Sequence, residues 1–123
     1  TIANMTIIGA ATERAIRLRR GTGLHLYNSD ISGSATCLQV QGETSLGQLG
    51  TRITFDGIGL RCATVNDGAD PDVQAFLDGS TNVTQDGTAA TPVTLPGQFD
   101  PAGDSISGSD VGSWSANWTV GLQ

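Results

Sequence analysis

Apolar residues flanking a single polar one recur along the first half of the chain. Ile16-Arg17-Leu18, Leu38-Gln39-Val40 and Leu60-Arg61-Cys62 follow one another at a constant interval. Alternation of this kind marks a strand with one buried face. A second series runs beside the first. It comprises Asn4-Met5-Thr6-Ile7-Ile8-Gly9, Asn28-Ser29-Asp30-Ile31-Ser32-Gly33 and, more loosely, Arg52-Ile53-Thr54-Phe55-Asp56-Gly57. In that alignment Ile7, Ile31 and Phe55 are evenly spaced, as are Gly9, Gly33 and Gly57. Two series of nearly one period, with Gly, Asn, Ser and Asp at the breaks, predict a β-solenoid. A single coil cannot bury its apolar row alone. Stacked coils lie ~4.8 Å apart, so Ile7, Ile31 and Phe55 are expected to form one inward column. An antiparallel sandwich is the alternative that short strands and turn residues also allow.

The pattern places strands over 1–9, 15–20, 24–31 with a corner near Asn28, 36–41, 51–56 and 59–64, and a looser loop over 43–50. Its character changes at Asn66. Asp70 reads as a helix N-cap, Pro71 as the first helical residue and Asp72 as a charge that suits the helix dipole. Val73, Phe76 and Leu77 give a helix over about 71–78 one apolar face, and Gly79 ends it. Residues 79–112 are rich in Thr, Gly, Asp, Ser and Pro and read as an irregular wrap with a strand near 93–95. A solenoid needs a cap over its last coil, and Trp114, Trp118 and Val120 share the strand face that supplies one. The organisation expected is coils over 1–65 and a C-terminal wrap and cap over 66–123, within one domain.

Composition narrows this picture. At 123 residues, with 37% apolar and 5% aromatic content and 17 Gly, the chain can fill a narrow core with many turns. No long apolar run is present, so no membrane span is expected. No signal peptide is legible at Thr1, and the chain opens in mid-pattern without Met, as a processed product would. The net charge of −6 is unevenly spread. Residues 1–62 carry all six Arg against four acids, whereas 63–123 carry eight Asp and no base. Binding to nucleic acid is driven by neutralising phosphates, so this balance argues against that partner. An acidic surface suits an extracellular setting.

Cys37 and Cys62, separated by about one period, fall in adjacent coils. A disulfide there would place the chain outside the cytosol. The triplet register, however, offsets the two by ~10 Å along straight strands, and a bridge needs Cα atoms within about 7 Å. A disulfide and two buried thiols both remain open at this stage.

Two stretches resemble one family. Residues 15–33, AIRLRRGTGLHLYNSDISG, resemble a late coil of a group of secreted bacterial proteins. Residues 99–123, FDPAGDSISGSDVGSWSANWTVGLQ, are similar to their C-terminal ending. Those proteins are right-handed parallel β-helices of the cell surface, lipoprotein-type and without an established activity. The resemblance implies an all-β, right-handed parallel β-helix that forms the C-terminal part of a longer, secreted or surface-located chain; with the repeat read above, this chain supplies about three coils. It supplies no catalytic residues to carry over.

Candidate chemistry is sparse. His25, the sole histidine, lies between Leu24 and Leu26 and is expected to face outward, with no nucleophile motif beside it. Arg17, Gln39 and Arg61 would stack on successive coils, with Arg19 and Gln41 beside them. Guanidinium groups pair bidentately with carboxylates, so this face is a candidate for acidic glycans, bound or processed as by a lectin or lyase. A solvated outer face is the plainer reading. Asp67, Asp70 and Asp72 are a calcium candidate, although no Glu closes an EF-hand loop and a helix N-terminus plus turn is the plainer reading. Asp100 and Asp104 would serve as a glycosidase pair only if a rigid element held their spacing. Asn4-Met5-Thr6, Asn82-Val83-Thr84 and Asn117-Trp118-Thr119 match the glycosylation sequon. The function expected is a non-enzymatic surface module whose first coil is open. That edge would dock on upstream coils of a longer chain or on other copies, building a filament.

Overall fold

The computed structural model describes residues 1–90 and Val93. Expectations placed on Thr94, Leu95, Asp100, Asp104, Trp114, Asn117, Trp118 and Val120 lie outside the described residues.

The alternating stretches build parallel strands. These are β1 (Ile2–Ala3), β2 (Thr6–Ile8), β3 (Arg14–Arg19), β4 (Leu24–Ser32), β5 (Thr36–Gln41), β6 (Ile53–Arg61), β7 (Thr64–Asn66) and β8 (Val83–Thr84). One sheet carries β1 and β2 against β4, then β6, then β8; the other runs β3-β5-β7. All these pairs are parallel. The arrangement is a parallel β-helix, and the sandwich is set aside. The coil stack drawn over 1–65 runs on to Thr84, because β8 pairs with β6.

One corner repeats in every coil. Asn4, Asn28, Gly57 and Asn82 have left-handed backbones, with φ of 56, 44, 71 and 53°. The registers on either side place them one above another: Ala3 beside Tyr27, Tyr27 beside Asp56, and Ile58 beside Val83. Asn and Gly tolerate this conformation best, which explains their use here. The corner splits residues 1–9 into two strands and bends β4 at Asn28. Successive corners enclose three unequal coils, of which the second, from Asn28 to Gly57, is the longest. Two of the matched sequons, at Asn4 and Asn82, are copies of this corner followed by its strand.

The unequal coils correct the predicted columns. Ile7 pairs with Ile31, as their place in the repeat implies. Beneath Ile31, however, lies Leu60, not Phe55. Phe55 lies beneath Leu26, on the other side of the corner. The reason is local. Residues 20–23 link β3 to β4, whereas 42–52 link β5 to β6 and contain a short helix, α1 (Glu43–Leu46). The predicted strands 51–56 and 59–64 are therefore one strand, β6, followed by β7. In the other sheet Ile16 pairs with Leu38, and Leu38 with Asn66. The triplet Leu60-Arg61-Cys62 does not belong to that sheet.

The core is aliphatic. Ile31, Leu38, Ile53, Ile58 and Leu60 have no exposed surface, and each such burial stabilises by roughly 1.5–3 kcal/mol. The second helix, α2 (Pro71–Gly79), grows from the same turn of the third coil as α1 does from the second. Its cap is Asp70, whose Oδ1 accepts from the amides of Asp72 (2.9 Å) and Val73 (3.3 Å). Val73 and Leu77 are buried, and Phe76 meets Phe55 edge to face at 5.4 Å between ring centroids.

Cys37 and Cys62 are disulfide-bonded, with Cα atoms 5.4 Å apart. Cys62 sits in the short turn between β6 and β7, where the chain bends. The ~10 Å offset of straight strands therefore does not apply.

Thr88, Ala90 and Val93 lie back along the stack, against β4 and β6. Ala90 N–H donates to Asp30 Oδ1 (3.0 Å). Asn28 holds both backbone groups of Val93, donating to its carbonyl (2.8 Å) and accepting from its N–H (2.7 Å). Gly59 makes room for this segment. A Cβ there would lie 2.7 Å from Ala90 N and 3.1 Å from Thr88 O.

Candidate functional site

The outward residues of the three-stranded sheet form the cationic face expected for an acidic ligand, in altered membership. Arg17 lies beside Gln39 and Arg19 beside Gln41. Arg17 Nη2 donates to Gln41 Oε1 (2.9 Å). Gln39 donates to the Asp67 carboxylate, which also pairs with Arg14 at 3.3 Å. Gln39 is thus held within the protein.

Arg61 is not part of this face. It ends β6, beside Ser32 of the bent sheet, and its Nη2 lies 3.7 Å from Asp30 Oδ1. The predicted Arg17–Gln39–Arg61 ladder therefore stops at Gln39. The physical cause is again the lengthened second coil, which moves Arg61 to a different sheet.

On the rim of the face, the guanidinium groups of Arg19 and Arg20 pair with no acid among the described residues. They line one hollow of about 350 Å³ with Gln41, Gly42 and Thr44. The hollow lies where the tight turn of the first coil rests on α1 of the second. Arg20 and Gly21 both have positive φ, 57 and 75°. Gly21 N–H donates to Ser45 Oγ (3.0 Å), and a Cβ at Gly21 would stand 3.1 Å from Thr44 Cγ2. Arg20 and Thr44 were not singled out by sequence reasoning. The signal available was Arg20 directly before Gly21-Thr22-Gly23, a turn that sets it beside Arg19 on the rim. Paired guanidinium groups with an amide and a hydroxyl can hold a carboxylate by charge-assisted hydrogen bonds.

The Asp67, Asp70 and Asp72 set is dispersed over other tasks. Asp67 is bound to Arg14 and Gln39, Asp70 caps α2, and Asp72 is exposed in its first turn. Among the described residues no three His, Cys, Asp or Glu side chains converge as a metal site would require. His25 faces outward with its Nδ1 2.6 Å from Thr54 Oγ1 of the next coil. A larger open cleft of about 690 Å³ lies between α2 and the α1 turn, lined by Phe55, Phe76, Leu46, Thr54 and Asp72 among others. It has a single carboxylate and no cation, whereas the smaller hollow gathers two guanidinium groups. Among the described residues no helix is long and apolar enough to cross a membrane.

A family model described as a pectate-lyase-like beta helix domain matches residues 1–119. No curated protein and no solved structure matches the chain.

Proposed function

This chain belongs to the pectate-lyase-like β-helix family, and on that premise we propose that it works outside the cytosol, as a non-enzymatic structural and interaction module of a cell surface. The observation that carries this reading is the Cys37–Cys62 bond, which staples neighbouring turns of the parallel β-helix together and supports an oxidising compartment. The test is incubation of the purified chain with polyuronate and neutral glucan chains, following new reducing ends and unsaturated products. No turnover is expected. Turnover that disappears in Arg19→Ala would overturn the non-enzymatic reading.

A second reading is favoured by the hollow of Arg19 and Arg20: binding, without cleavage, of an acidic polysaccharide through its carboxylates. Retention on immobilised polyuronate, lost in Arg19→Ala/Arg20→Ala and absent on neutral glucan, is the expected result. Equal retention of both proteins counts against it.

A further inference from the structure

We infer that the outer face of β4 and β6 around Asn28, Asp30 and Gly59 is a groove for an extended peptide backbone, occupied in this structure by the chain's own Thr88, Ala90 and Val93. The groove uses none of the residues of the Arg19–Arg20 hollow. Gly59 is the first observation. It lies inside β6 without a positive φ, so its own backbone does not call for glycine. Glycine in a strand interior weakens the strand and marks a place where another backbone comes close. Here that backbone is Ala90 N and Thr88 O, which a Cβ would meet at 2.7 and 3.1 Å. A Cβ would also crowd Asp30 Oδ1, the atom that receives the Ala90 N–H.

The second observation is what the groove holds. Asp30 accepts from the N–H of Ala90 (3.0 Å). Asn28 donates to the carbonyl of Val93 (2.8 Å) and accepts from its N–H (2.7 Å). These are main-chain groups, which every residue except proline offers in full. The groove therefore selects an extended backbone, with small side chains where it passes Gly59. Asn28 is 2% exposed, and a buried amide costs free energy unless such bonds are made. The third observation is how little else holds the occupant. Asp86, Gly87, Thr88 and Ala89 are exposed, and residues 86–90 carry no apolar group larger than a methyl. Their turn is closed locally, by Asp86 accepting from Thr88 and by the Thr84 hydroxyl donating to the Thr88 carbonyl. A segment with so little apolar burial opens at low cost and leaves the aliphatic core in place. The partner that fits is an extended segment of another protein, which takes over the same bonds.

Tethering gives the chain's own segment an effective concentration in the ~mM range, so the test weakens that segment and leaves the groove intact. Ala90→Pro in the full chain removes the N–H given to Asp30. The probe is a synthetic peptide with the sequence of residues 86–93, blocked at both ends. NMR of the labelled chain follows the Gly59 amide and the Asn28 side-chain amide. The peptide should bind the Ala90→Pro chain about tenfold or more tighter than the parent, which yields only near ~1 mM peptide. A peptide carrying the same Ala90→Pro change should bind that chain about tenfold or more weaker. Gly59→Ala, added to the Ala90→Pro chain, fills the groove and should abolish binding, with circular dichroism checking that it folds. No binding to the Ala90→Pro chain at ~1 mM peptide, equal affinity for it and the parent, or equal affinity of the two peptides overturns the inference. Binding that survives Gly59→Ala in the folded chain does the same.

Discussion

Ile31 lies directly over Leu60 in the next coil, and both are fully buried. This pairing lies at the core between the second and third coils. Ile31→Ala and Leu60→Ala should each destabilise by about 2–5 kcal/mol. In a double-mutant cycle their coupling should fall in the range of ~0.5–3 kcal/mol and exceed that of Ile31 with Phe55. Chemical denaturation of the single and double variants measures it; a larger Ile31–Phe55 coupling contradicts the register.

The Cys37–Cys62 bond joins residues at a sequence separation of 25. Restricting the unfolded chain to that extent stabilises by roughly 3–4 kcal/mol in the loop-entropy view. Cys37→Ser/Cys62→Ser should therefore melt well below the parent in oxidising buffer, and reductant should lower the parent toward it. Equal melting temperatures would show that the bond contributes nothing.

Gly57 stands where the other coils have Asn, at φ 71°. Replacement by Ala places a Cβ in the left-handed region and should cost about 1–2 kcal/mol. Gly57→Asn, which repeats the residue used at positions 4, 28 and 82, should cost clearly less. Thermal unfolding of the two variants decides; an Asn variant no better than Ala would remove the corner as the explanation.

Asp86 Oδ1 accepts from Thr88 Oγ1 (2.7 Å) and from Thr88 N–H (3.1 Å). These bonds, the hydroxyl foremost, hold the Asp86 pKa below the ordinary aspartate value. A depressed folded pKa means that the favourable contribution is present above the unfolded value and is lost as pH falls through the folded one. Thr88→Ala should move the Asp86 titration, read by NMR, back toward the ordinary value. An unmoved titration would exclude the hydroxyl as the cause.

Much of the architecture is determined locally and can be read without coordinates. Alternation marks which residues face inward, because successive side chains in a strand point to opposite sides. The match of Asn4–Gly9 with Asn28–Gly33, and of Ile16 with Leu38, fixes the first coil boundary correctly. The helix start at Asp70-Pro71 is legible because a cap is a property of a few neighbouring residues.

Register across the second and third coils was decided only by the tertiary structure. Phe55 and Leu60 are both apolar and both inward, so either satisfies the pattern beneath Ile31. The choice depends on how many residues the turn at 42–52 takes up, and a short helix there leaves no trace in the alternation. That one difference moved Arg61 away from Arg17 and Gln39 and brought Cys62 to Cys37 through a bend. It also set α1 beneath the Arg19–Arg20 turn, closing the hollow there. Inward and outward are settled one strand at a time, whereas neighbours across a coil are settled by the summed length of everything between them.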